Sequence, residues 1–294
     1  MNLPLQLLAN GLVNGALFGL LACSFGMVYR SARVFHIAFA GLFLVGPYGA
    51  YAANAWMGWP IWAAIPFGVA VATGAGWLTE RVLYRPFLRK NASGGAVMIA
   101  SLGSFIIIEN LLALFFGNEM RMLDRGLAKR IVLGPVSLTS VQVIQLVVCS
   151  LVLVCLGVAT RRIRAFKAIW AMGDEPALIP VLGLPLMRYR AIVFALSAGL
   201  GGLAGCLIGF DVGIDPHMGM SYLLIAAVAV LAGGIDRYGG WIAGGVLLAV
   251  LQSMMVWKFS AKWMDLVTFA VLIGVLIFRP QGMFGVQKRL EEES

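Results

Sequence analysis

Charge is scarce in this chain: 12% of its 294 residues are Asp, Glu, Lys or Arg, against 61% hydrophobic. A mean hydropathy of +0.92 lies far outside the range of soluble domains. Reactive side chains are equally sparse. There are two histidines and four cysteines, and Cys23, Cys149, Cys155 and Cys206 lie in apolar runs without CxxC spacing, so neither a disulfide framework nor a metal centre is indicated and all four are read as core residues. No GxxxxGK[ST], HExxH or GxSxG occurs. The chain therefore carries no phosphate-cradling loop, and no nucleophile and base constellation is evident. The first residues, MNLPLQLLANGLVNG, lack the basic region of a cleaved leader, which makes the first apolar run a retained span, and Leu20-Leu21-Ala22-Cys23 is read as helix rather than as a lipoprotein cleavage site.

What remains is apolar sequence arranged for a bilayer. Nine windows stand between charges and breakers: 7–29, 34–56, 61–79, 96–116, 141–160, 191–210, 222–232, 241–257 and 263–278. They are too long and too continuously apolar for barrel strands, so the fold expected is all-α, polytopic, with eight to nine transmembrane helices in a single integral domain over 1–294. The window 222–232 would rise only about 16 Å, short of a hydrocarbon core of about 30 Å. Bracketed by Gly219 and by Gly233-Gly234, it is either a span or a re-entrant half-helix.

Alternation across nine windows puts sixteen of the 22 basic residues on one side and leaves Arg121, Arg125, Lys129, Arg130, Lys258 and Lys262 on the other. The positive-inside bias then places the N-terminus outside and the C-terminus in the cytoplasm. The net charge of +9 is topological and calls for no nucleic acid.

Thirty-six glycines ask for a packing role, and Gly11-Gly15-Gly19, Gly201-Gly205 and Gly240-Gly244 repeat at the four-residue spacing of close helix crossings. Few polar groups lie at membrane depth. Glu109, beside Asn110, stands almost alone and is a default pathway candidate, although its place past the middle of its window also suits the outer interface. His36 is read as a headgroup-level residue in preference to a ligand. Asn10, Asn14 and Gln252 are read as interhelical glue. Asp211, Asp215 and His217 suggest a metal site but have no fourth partner, and a solvated turn is the better reading.

One stretch does not belong in a bilayer. Residues 161–190, RRIRAFKAIWAMGDEPALIPVLGLPLMRYR, are basic at both edges with a short helix-compatible core around Pro176–Ile179, closed by Pro180 and Gly183. Such an island is where a soluble partner docks.

Several pieces in order resemble the permeases of branched-chain amino acid ABC transporters, the LivH-type subunit. They include LLANGLVNGALFGLLACSFGMVYR, TERVLYRPFLRK, IASLGSFIIIENLLALFFG, GDEPALIPVLGLPLMRYR, DPHMGM, LAGGIDRYGGWIAGG and FRPQGMFG. The resemblance implies an importer permease in a bacterial inner membrane, itself without catalysis or cofactor, working with a second LivM-like permease, two ATPase subunits that bind ATP and Mg, and an extracytoplasmic solute-binding protein. It also implies that Asp174, Glu175, Pro176, Ala177, Leu178, Leu182 and Gly183 form the loop docking onto the ATPase. For the solute path the candidates are His36, Phe39, Gly41, Glu109, Asn110, Gly233 and Gly234. Where the family usually carries Asn-Phe-Ala-His-Gly-Glu, this chain has His36-Ile37-Ala38-Phe39-Ala40-Gly41. That departure leaves open urea, short amides or small acids as the cargo, and the remaining alternative is an ion-coupled secondary carrier centred on Glu109.

Overall fold

The computed structural model describes residues 3–123, 130–133, 136–174, 178–181, 183–260, 263–279 and 281–285. Its helices are α1 (Leu3–Ala32), α2 (Phe39–Ala55), α3 (Ile61–Thr79), α4 (Arg85–Arg89), α5 (Gly94–Phe116), α6 (Ser140–Arg162), α7 (Arg164–Asp174), α8 (Leu178–Val181), α9 (Leu186–Asp211), α10 (Gly219–Gly233), α11 (Tyr238–Lys258) and α12 (Met264–Phe278). A π-helical turn, Glu80–Tyr84, joins α3 to α4, so the third span continues ten residues beyond the window read from the sequence. Among the described residues six helices are long and apolar enough to cross a membrane, α10 and α12 are shorter apolar helices, and α2 has 17 residues. The window 222–232 widens to a helix of 15 residues, about 22 Å long.

Outside the spans lies an antiparallel hairpin, β1 (Arg130–Leu133) with β2 (Val136–Thr139), in a stretch that the sequence marked only as a charged connection. Gln6 of α1 grips its second strand from both sides: Nε2 donates to the Ser137 carbonyl and Oε1 accepts from the Ser137 amide, each at 2.8 Å. Thr139 then caps α6 in a reciprocal capping box with Gln142.

The packing is nearly two-fold. In the first unit α1 leads through a short linker to α2, then α3, with α5 against α2. In the second, α9 leads through a short linker to α10, then α11, with α12 against α10. Across units α1 packs on α11 as α9 packs on α3, and α10 packs on α1 as α2 packs on α9. Because α1 ends on the side where α9 begins, the two units are inverted with respect to each other, an arrangement that places discontinuous helices near the bilayer midplane.

Glycine makes these crossings possible. A Cβ at Gly11 or Gly15 would meet the backbone of α11 at Val250 or Val246, at 3.2 and 3.0 Å. Gly244 lies against the Ala229 carbonyl of α10, and Gly205 against Phe43 and Pro47 of α2. All three glycine repeats read from the sequence are close helix contacts. Cys23, Cys149 and Cys206 are buried as expected, whereas Cys155 is exposed on α6, whose outer face is apolar and unpacked in the single chain, so it is not a core residue.

Candidate functional site

The charged island folds into two pieces. The sequence placed its helical core at 176–179, but the main element is α7, eleven residues long and strongly amphipathic. Ile169, Met172 and Gly173 turn inward while Arg164 and Lys167 turn out. Charge at the segment's start hid this helix in the sequence. After it, α8 is a single turn that buries Ile179 and leaves Val181 81% exposed. Gly183 follows with φ +69°, a left-handed backbone that ends the turn where a side chain would be strained. Among the expected docking residues, Glu175, Pro176, Ala177 and Leu182 lie outside the described residues, and so does the side chain of Leu178. Asp174 and Gly183 are exposed.

Two ion pairs tie the segment to the bundle. At the end of α7, the buried Arg30 of α1 donates from Nη1 to the Trp170 carbonyl at 2.9 Å and from Nη2 to Asp174 at 2.8 Å, and its guanidinium lies over the Trp170 ring, 4.3 Å from the centroid. Its Nε is 3.7 Å from Asp236, in the link between α10 and α11. Arg33 adds bonds to the Gly173 and Asp174 carbonyls. Its own φ of 51° bends the chain out of α1 toward them. Where the segment runs into the next span, Arg190 in the first turns of α9 faces Glu80 of the π-helical turn at 3.7 Å, both side chains buried. Arg30, Arg190, Glu80 and Asp236 were not singled out from the sequence, where the arginines counted only as topological charge.

A second set of polar groups sits where α2 begins. His36 is not at headgroup level: it is 1% exposed, packed edge-on to Phe194 and Tyr84, because the linker after α1 turns back into the bundle before α2 starts. Its Nδ1 is 2.5 Å from the Tyr84 hydroxyl, which donates to Ser101 Oγ of α5 at 2.7 Å. Ser101 Oγ also accepts the Ala38 amide at 2.8 Å, satisfying the free start of α2. Phe39 is fully buried against Phe25 and Gly201, and Gly41 lets α2 approach Ile108 of α5.

Glu109, which the sequence left almost alone, pairs with His217 at 2.6 Å, and the His217 amide donates to Asp215. The turn 211–217 is not the solvated turn expected: Gly213, Ile214 and Pro216 are buried, Asp211 and Asp215 are half-buried, only Val212 and His217 are exposed, and the turn is latched to α5. Asn110 is exposed and turns back to the Ile106 carbonyl. His36, Phe39, Gly41 and Glu109 therefore share one region, joined there by Gly219 at the start of α10, which abuts the Ala40 carbonyl. Gly233 and Gly234 do not join them. They lie at the opposite end of α10, Gly233 pressed on Gly240 and Gly234 (φ +99°) on the 282–285 turn.

An inverted pair of helical units with a charged segment tied to both defines a polytopic membrane permease. The sequence profile described as branched-chain amino acid transport system, permease component, matches residues 7–276, and the chain belongs to that family. It is 28% identical to the high-affinity branched-chain amino acid transport system permease protein LivH of Escherichia coli K12, over 96% of this chain and 95% of that one. It is 30% identical, with the same coverage, to BraD of Pseudomonas aeruginosa, which carries the same description. A shorter match, 29% over 42% of this chain and 38% of the relative, is to the autoinducer 2 import permease LsrC of Salmonella paratyphi B. Among solved structures, PsaBC from Streptococcus pneumoniae in complex with Fab shares the fold, with a TM-score of 0.53 at 14% identity over 97% of this chain and 94% of that one.

Proposed function

We propose that this chain is one of two pore-forming subunits of an ATP-driven importer for branched-chain or related amino acids, acting with a second permease, two ATPase subunits that bind ATP and Mg, and an external solute-binding protein. The observation that carries the reading is the doubly anchored segment 164–190 in a chain of this family. Nucleotide-driven closure of the ATPases would press on the exposed side of α7 and α8. Arg30–Asp174 and Glu80–Arg190 would pass that displacement to α1 and to α3 and α9. Since α1 packs on α11 and α9 on α3, a shift there moves both inverted units as rigid bodies. The side bearing Arg30 and α7 is cytoplasmic in this reading, and the β hairpin is external.

Solute identity follows the family, with the run His36–Gly41 as the place where selectivity would depart from it. The test is uptake of leucine into proteoliposomes holding the reconstituted complex: it should require ATP inside and the binding protein outside. Glu109→Gln separates this from an ion-coupled carrier. Loss of one partner of a half-exposed pair should leave ATP-driven uptake within about threefold of the parent, whereas a carrier that moves protons through Glu109 would lose its pH dependence entirely.

A further inference from the structure

Helices α6 and α11 both pack on α1, and the space between them is a groove of about 760 Å³. Ser150, Leu153, Val154, Gly157, Val158 and Arg161 line it from α6, at the three- and four-residue spacing of a single helix face. Ile242 lines it from α11. Between the two helices lies the Tyr238 ring, which rests on Gly157 and whose hydroxyl donates to the Leu153 carbonyl at 2.7 Å. Val154 and Val158 are both exposed, so the groove opens outward from the bundle.

Its cations gather at one end. Arg161 in the last turn of α6 and Arg237 just before α11 stand there, beside the half-buried Trp170 of α7. Neither arginine makes an ion pair or a side-chain hydrogen bond among the described residues. Asp236 is the one acid of the lining, and it is already faced by Arg30 Nε at 3.7 Å. Helix α11 starts without a side-chain cap, which leaves its leading amides for an outside acceptor at this same end. From Arg161 back to Ser150 the lining face of α6 rises about 16 Å, close to half of a hydrocarbon core of about 30 Å. The groove is thus cationic at the membrane surface and largely apolar for the depth of one leaflet. That combination matches a phosphodiester head with an acyl chain below it, whereas a soluble phosphate would leave the apolar length unused.

We propose that the groove between α6 and α11 binds an anionic phospholipid of the leaflet on the α7 side, its phosphate held by Arg161, Arg237 and the first amides of α11, and an acyl chain laid along Val154, Val158 and Ile242. The site requires that the chain crosses a bilayer and is independent of the solute carried.

The exposed Cys155 is not part of the lining, whereas its neighbour Val154 is, and successive positions of a helix point about 100° apart. A bimane on the native Cys155 is therefore the reference for a bimane on Val154→Cys combined with Cys155→Ala, the other three cysteines being buried. The protein, purified with the subunits that accompany it, is placed in phosphatidylcholine nanodiscs containing phosphatidylglycerol brominated in its acyl chains. Half-maximal quenching of the label on Val154→Cys should need about tenfold less of this lipid than quenching of the label on Cys155, the order expected of two arginines near a membrane surface. Brominated phosphatidylcholine should quench both labels alike. Arg161→Gln with Arg237→Gln should remove the difference while the protein keeps its gel-filtration profile. Equal quenching of the two labels by brominated phosphatidylglycerol, a preference unchanged in the double variant, relief of quenching by soluble glycerol phosphate alone, or a label on Val154→Cys that neither lipid reaches because another subunit covers the groove would each overturn the assignment.

Discussion

Arg30 sits at the end of α1 and joins three pieces of chain: the Trp170 carbonyl and Asp174 of α7, and Asp236 beyond α10. Its partner Asp174 is 58% exposed and can be rehydrated, so the loss in Arg30→Ala is mainly that of charged hydrogen bonds and of the stacking on Trp170, about 2–4 kcal/mol in all. The expected outcome is selective. Limited proteolysis of the variant should cut within 164–185 many times faster than in the parent while the spans stay protected, and ATP hydrolysis by the assembled complex should persist with uptake lost. Arg30→Lys should recover part of the coupling, since lysine keeps the charge but not the planar fork that reaches both the carbonyl and the carboxylate. Unchanged uptake in Arg30→Ala would remove this anchor from the transmission route.

Among the helices, glycine decides which contacts tolerate change. A Cβ at Gly245 would meet backbone atoms of Phe18 and Gly19 in α1 at 2.5–2.8 Å, and backbone cannot step aside. Gly274 of α12 has nothing within 4 Å. Gly245→Leu should therefore lower the thermal stability of the purified protein by an overpacking cost of at least about 1–3 kcal/mol, or prevent its recovery, while Gly274→Leu leaves it unchanged in the isolated chain. Equal effects would contradict the α1–α11 packing. Much of this level was legible in advance: uninterrupted apolar windows identified the spans, and four-residue glycine spacing identified the crossings. The rest was not, for identifiable reasons. His36 lies next to Arg33 in sequence, which suggests a headgroup position, yet a linker that turns back into the bundle buries it. Glu109 and His217 are 108 residues apart, and only the packing of both α5 and α10 on α2 brings them together. The helix α7 was masked because its polar face carries the basic residues that mark a loop, and residue order alone does not distinguish a charged loop from an amphipathic helix with few apolar positions.

For the whole molecule, one short segment touches both inverted halves, α1–α5 and α9–α12: it is tied to the end of α1 and continues into α9, the first helix of each unit, which is the contact the proposed coupling requires. The outer faces of α5, α6 and α12 remain apolar and exposed in the single chain, consistent with lipid and with a second permease around it. Val181 is the exposed apolar residue of α8, in the segment proposed to dock onto the ATPases. Purification of the tagged chain from its native membrane in mild detergent, beside a Val181→Asp variant, tests the central claim most directly. The parent should bring down a second permease and two P-loop ATPases in stoichiometric amounts, and the variant should retain the permease but lose at least about tenfold in ATPase, the consequence of burying a charge in an apolar contact. Recovery of the parent chain alone, still driving ion-dependent uptake in liposomes, would contradict the account and return Glu109 to its centre.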